Sequence, residues 1–279
     1  MSNLQKRVLV VRGKHGSHRQ TFWIANELPK EQRTLRFADG ERVKPRNEVV
    51  DPKDRVTVRY GMLFSKRANE GVDHALSAIG KVHSVPKELH KIPVEVQGSL
   101  GGANGMYTLW RPIGEHNKIM VSKWCSQPAA TIAHEYGHFL DHHLLGTGKP
   151  TIHAMASVQW AKKEPGGKEI GPVMRALYRS QAGKSLVAKH EENIRTDNHY
   201  GKQASEYLLM PPEMFARAYN QYIGLRGSER IARETREHGE GWSRYGYQAQ
   251  WTDADFAPIA REFDRLFQRR GLLRHRRAE

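Results

Sequence analysis

The chain holds a single cysteine, Cys125, in 279 residues. No internal disulfide can form, which excludes a disulfide-stapled secreted scaffold. No apolar run approaches the roughly 20 residues that cross a bilayer, and the amino terminus lacks a secretory hydrophobic core. The expectation is a protein without a membrane partner, resident in the cytosol, whether bacterial or injected. Internal repeats and low-complexity segments are missing too, so a solenoid is not expected. Gly98, Gly101, Gly102 and Gly105 cluster as a loop, but no Gly-Lys-Ser or Gly-Lys-Thr follows, and a phosphate loop is discarded. Acidic residues are scarce: 30 Asp and Glu face 45 Lys and Arg, a net charge of +15. That excess suggests an anionic partner, with basic residues gathered from Lys6 to Arg59 and at Arg269, Arg270, Arg274, Arg276 and Arg277. A soluble surface with a solvated basic tail accounts for it equally, and no defined nucleic-acid-binding motif is present.

What is present reads as α+β. A hydrophobic content of 38% suffices for one ordinary domain and a smaller piece. Residues 1–60 read as a small basic β-rich module, with strands at Val8–Val11 and Val56–Val58 separated by Gly13, Gly16, Pro29, Gly40, Pro45 and Pro52. A helix is expected over Asn69–Val82 and strands over Ile92–Val96 and Lys118–Ser122. Lys162–Gly201 looks like an insertion. Thr252 is placed to cap a closing helix through Asp255, with Phe256, Ile259, Phe263 and Leu266 on its core face.

The decisive pattern is His134-Glu135-Tyr136-Gly137-His138, an HExxH. Residues i and i+4 of a helix share a face, so the two imidazoles can converge on one metal ion while Glu135 leans towards a metal-bound water. The flanks support a helix: Pro128 suits the first turn, Ser126 or Gln127 the cap, and Gly146 the stop. Ile132, Tyr136, Phe139 or Leu140, and Leu144 form an apolar stripe, and His134, His138, Asp141 and His142 a separate polar one. A polar seam on a helix whose first turn is apolar needs an internal partner such as a metal.

A catalytic zinc usually takes three protein ligands and a water. A metzincin would need Gly at 141 and His at 144, where the chain has Asp141 and Leu144. Asp141 is badly placed to bind the same ion from the same helix; it suits the support of a ligand imidazole, or is a solvated carboxylate near a helix end. Glu213 is the better third ligand. It opens a second helix started by Pro211 and Pro212, with Phe215, Ala218 or Tyr219, and Tyr222 on its apolar face and Gly224 as its stop. The competing reading of Glu213 is an i,i+4 ion pair with Arg217 at a favourable helix N-terminus. Cys125 is expected to be packing rather than a ligand.

Together, Thr131–His142 and Pro212–Tyr219 resemble the zincin-type metallopeptidase domains of phage and mobile-element proteins, including the large polyvalent proteins, whose active-site layout is similar to that of the anthrax lethal factor catalytic domain. Those domains carry HExGHxxD on the first helix and Glu-x-Phe-Ala on the second, and the likeness spans about residues 75–270. The resemblance implies a zincin-like domain over residues 70–279, with the insertion around 162–201, behind the module at 1–60. It implies zinc held by His134, His138 and Glu213, with Glu135 as general base. It also implies a tyrosine that steadies the developing oxyanion; Tyr207 is the nearest match, with Glu206 as the alternative register. In such domains an edge strand before the first helix holds the substrate by main-chain pairing. Lys118–Ser122 is placed for that, or is an ordinary core strand.

Two functions follow: a zinc endopeptidase acting on a protein or peptide, and a nucleic-acid-associated packaged or injected protein in which zinc is structural. Binding to duplex DNA through Lys and Arg contacts is expected to weaken steeply with salt and to survive Glu135→Gln. A salt series checks it, and deletion of residues 1–60 is expected to weaken that binding most.

Overall fold

The computed structural model describes residues 5–13, 16–24, 48–60, 65–109 and 117–274. The architecture is mixed α+β, mostly helical with a small sheet. Near the start, β1 (Gln5–Gly13) and β2 (Gly16–Ile24) pair antiparallel as a hairpin, so the expected strand at Val8–Val11 is present. The rest of the expected N-terminal module, residues 25–47, lies outside the described residues.

β3 (Val49–Val50) precedes β4 (Val56–Tyr60) and α1 (Lys66–Val82). Ser65 caps α1 by accepting from the Ala68 N–H, and Val72, Ala75, Leu76, Ile79 and Val82 recur at helical spacing on its buried face. β5 (Val85–Pro86) pairs with β3. β6 (Ile92–Gln97), β7 (Gly105–Tyr107) and β8 (Ile119–Ser122) join β4 in a four-stranded sheet of order β4-β6-β8-β7. The first three neighbours are parallel and β7 runs antiparallel to β8. Val56–Val58, read from the sequence as part of the N-terminal module, therefore belongs to this sheet, because Val56 and Val58 pair with the buried Ile92 and Val94 of β6. The strand expected at Lys118–Ser122 is internal, and all four residues of β8 are buried. The edge beside it is the three-residue β7.

The helical layer comprises α2 (Pro128–Phe139), α3 (Ala156–Ala161), α4 (Gly171–Arg179), α5 (Gln181–Arg195), α6 (His199–Leu209), α7 (Pro211–Gly227), α8 (Glu229–Ser243) and α9 (Asp253–Arg269). The segment read as an insertion thus folds as helices, and Ile170, Val173, Met174 and Leu177 enter the common core. α7 continues past the expected stop at Gly224 because Gly224 packs against Ala232 of α8 rather than turning the chain. The closing helix forms as expected: Thr252 accepts from the Asp255 N–H, and Phe256, Ile259, Phe263 and Leu266 are buried. The Asp255 carboxylate turns outward to cap α5 at the Gln181 and Ala182 N–H groups. Arg270 and Arg274, expected in a basic tail, are engaged with Glu169 and with Asp51 respectively. Arg276 and Arg277 lie outside the described residues.

His83 ties α1 to α7 and α9. Its Nδ1 donates to the Ser84 carbonyl at 2.9 Å, so Nε2 accepts from the Tyr219 hydroxyl at 2.7 Å, and its ring stacks on Phe267 with centroids 4.1 Å apart. Complete burial lowers its pKa from 6.5 to about 4, outweighing the Ser84 bond that favours the charged form. The unfolded chain takes up this proton near 6.5 and the fold refuses it until about 4. Stability therefore falls as the pH drops through that window, by about 3 kcal/mol at most. Urea unfolding on both sides of the window is expected to show His83→Gln losing that share of the acid slope; an unchanged slope in the variant contradicts it.

Candidate metal centre

α2 carries the HExxH. Pro128 starts it, Gln127 is the cap residue without a side-chain bond, and Leu140–Leu144 extends it as a π turn closed by Leu145 N–H to the Leu140 carbonyl. The predicted stripe of Ile132, Tyr136, Phe139, Leu140 and Leu144 is buried. α7 crosses α2 at Gly137, where an added Cβ would lie 3.1 Å from the Ala216 Cα and 3.1 Å from a Tyr219 ring carbon. That close crossing brings the first turn of α7 to the two histidines.

There Glu213 sits between the imidazoles, with Oε2 3.4 Å from His134 Nε2 and Oε1 3.2 Å from His138 Nε2. One ligand atom from each of the three residues falls within 4.8 Å of the others. The expected i,i+4 pair between Glu213 and Arg217 is not formed. Arg217 instead donates to the Leu208 and Ala249 carbonyls, which leaves Glu213 directed at the histidines. Buried Glu213 Oε2 and His138 Nδ1 have no hydrogen-bond partner. A buried carboxylate with an orphaned oxygen against two imidazole nitrogens suits a divalent cation, and this nitrogen and oxygen donor set suits zinc.

The electrostatics follow from that clustering. Burial alone would raise the Glu213 carboxyl, but the His138 charge beside it holds it well below the usual range. Burial opposes charge on His138, yet Glu213 outweighs it and lifts the imidazole to about 9. Without a cation, the pair keeps a proton between them, where a divalent cation could sit instead. Glu135 is raised chiefly by burial, against the histidine charges and a hydrogen bond from the Tyr107 N–H. A carboxylate so placed has a stronger pull on a proton.

Tyr207, at the end of α6, hydrogen-bonds the Glu213 carboxylate, and burial followed by that charge raises its phenol well above 10. Glu206, the alternative register, lies by His190 instead. Asp141 is fully buried, but its carboxylate accepts from the Ser157 N–H at 2.9 Å and from the Ser157 hydroxyl, at the start of α3. It caps that helix rather than hydrogen-bonding His138, because the π turn swings it towards α3. Burial raises it to about 6 despite the Ser157 bonds. Cys125 is buried beside Thr131, outside the ligand group.

The chain matches no known family, no curated protein and no solved structure. The geometry carries the site by itself.

Two neighbours of the site escape the sequence pattern. Tyr107 of β7 sets its ring 6.5 Å from that of His138. His238 of α8 accepts from the Trp242 indole N–H at 3.2 Å, and its pKa is lowered to about 4, chiefly by desolvation and then by His134. Neither lies in a motif; only the folded sheet and α8 bring them to the histidines.

Chelator-competition titration is expected to show Glu213→Ala lowering zinc affinity more than about 100-fold, since a direct ligand is lost. Asp141→Ala is expected to change affinity by no more than about tenfold while costing about 1–2 kcal/mol of fold stability through the lost cap. The reverse order contradicts this arrangement.

Proposed function

We propose that the protein is a zinc-dependent endopeptidase of zincin-like architecture, hydrolysing peptide bonds in a protein or peptide substrate. The observation that carries the reading is Glu135 beside the three-residue ligand group. Among the described residues the group offers three ligands, His134, His138 and Glu213, whereas a structural zinc site closes with four and has no use for an adjacent base.

A zinc ion held here supplies Lewis acidity, acidifying a water towards pKa about 7 and polarising a carbonyl. Glu135, one residue beyond His134, takes the proton of the attacking water and returns it to the leaving amine. The Tyr107 N–H fixes the orientation of that carboxylate. The Tyr207 phenol, kept protonated by burial and by Glu213, donates its one O–H to the ligand carboxylate, and steadying an oxyanion would require that O–H to turn away from Glu213. Gly105 and Tyr107 direct their backbone N–H and C=O groups away from β8, since the ladder bonds run through Asn104 to Ser122 and Thr108 to Lys118. With the Tyr107 N–H on Glu135, the Gly105 N–H and C=O on that outer side of β7 are the groups that would pair with an extended peptide laid past Glu135.

Glu135→Gln keeps shape and removes the proton acceptor. It is expected to retain zinc and the thermal midpoint while lowering cleavage of a peptide library by several orders of magnitude. Equal cleavage by both proteins contradicts the assignment.

A further inference from the structure

The polar stripe on α2 includes His142, which neither binds the metal group nor faces the reaction. Its surroundings assign it a task. The Lys149 carbonyl lies 2.5 Å from His142 Nε2 and can only accept, so Nε2 carries the proton and Nδ1 is a bare acceptor. The Tyr107 hydroxyl, 2.7 Å from Nδ1, therefore donates to it, and the Tyr107 oxygen accepts from Asn117 Nδ2 at 3.0 Å. Asn117 and His142 are fully buried. Asn117 Nδ2 also lies 3.3 Å from His142 Nδ1 and 3.2 Å from His143 Nε2, and together these contacts join β7, the approach to β8 and the π turn one helical turn beyond His138.

β7 meets the metal-bearing helix at three points. At Gly105 a Cβ would overlap Thr131 Cγ2 and fall 2.9 Å from Glu135 Oε1, so the strand lies directly on the base. At Tyr107 the backbone N–H bonds the Glu135 carboxylate. The Tyr107 ring lies nearly parallel to that of His138, at 19°. A strand of three residues has few ladder bonds of its own to fix it at this depth, and the buried hydroxyl-to-imidazole bond supplies the missing anchor.

We propose that His142 is a positioning residue that clamps the edge strand β7 against the metal-bearing helix through Tyr107, setting the depth at which an extended substrate lies over Glu135. The role in substrate binding rests on the peptidase reading above; the clamp itself does not. Tyr107 touches Glu135 through its backbone and His138 through its ring, so one hydroxyl bond registers the strand against both the base and a ligand.

The test compares the zinc-loaded wild type with Tyr107→Phe, which removes only the hydroxyl, with His142→Phe, which keeps ring volume, and with the double variant. Three readouts are taken: amide hydrogen exchange at residues 105–107, zinc affinity, and KM and kcat on a peptide library. Tyr107→Phe is expected to speed exchange at residues 105–107 by about tenfold, the loss of one buried hydrogen bond, and His142→Phe by at least as much, since it also frees the Lys149 carbonyl. The double variant adds little to His142→Phe alone, because that change already cuts the Tyr107 bond along with the bond to the Lys149 carbonyl. Zinc affinity stays within about threefold, and KM rises more than kcat falls. Should His142→Phe fail to fold, Tyr107→Phe decides. Unchanged exchange in Tyr107→Phe overturns the clamp, and so does a collapse of zinc affinity in Tyr107→Phe, which would make the network a support of the metal instead. A wild type that cleaves no peptide removes the peptidase reading, and the exchange result still decides the clamp.

Discussion

The crossing of α2 and α7 at Gly137 is the contact on which the site depends. Any side chain at 137 would press on the Ala216 backbone and the Tyr219 ring, and the helices would part by a few tenths of an ångström or more. At their observed separation, the first turn of α7 reaches the side of α2 that carries His134 and His138. Glu213 enters between them. Four residues on, Arg217 is buried and turns the other way, gripping the Leu208 and Ala249 carbonyls. That grip also fixes the end of α6 against α7, and with it Tyr207. One small residue thus sets the metal group, and one buried arginine carries the tyrosine to it.

Burying this much polarity is costly unless something binds it. Glu135, His138, Asp141, Glu213 and Arg217 are all buried within or beside two helices. Asp141 is satisfied by Ser157, and the two terminal nitrogens of Arg217 by backbone carbonyls, while its buried Nε has no partner. Glu213 and His138 keep a buried atom each without a partner. A cation would resolve that, and its binding energy would then add to the stability of the fold. The same burial raises Glu135, so the environment that demands a metal also tunes the group beside it.

Much of this was legible in the sequence because it repeats at helical spacing. The HExxH and its apolar stripe, the proline-initiated helix of Glu213, the cap at Thr252 and the face of α9 all rest on i,i+3 and i,i+4 relations. What was not legible depends on contacts between distant segments. β7 is three residues long and follows a glycine loop, too short for an alternation to show, so the longer apolar run at Ile119–Ser122 stood out and proved internal. The partner of Asp141 depends on a π turn, which shifts the helical register by one residue and turns the carboxylate towards Ser157. Gly224 carries the usual mark of a helix end, but the approach of Ala232 reads the same residue as a packing site. Tyr107 and His142 meet across the gap between sheet and helix, a relation no spacing reveals.

We propose that His134, His138 and Glu213 hold one zinc and leave a position open. X-ray absorption at the zinc edge, on the full chain loaded with one equivalent of metal, tests it most directly. The account predicts a four-coordinate first shell of two imidazole nitrogens, one carboxylate oxygen and one oxygen from solvent, with no sulfur, near the usual distances of about 2.0–2.2 Å. A sulfur scatterer at about 2.3 Å, or a shell filled by four protein ligands, contradicts it.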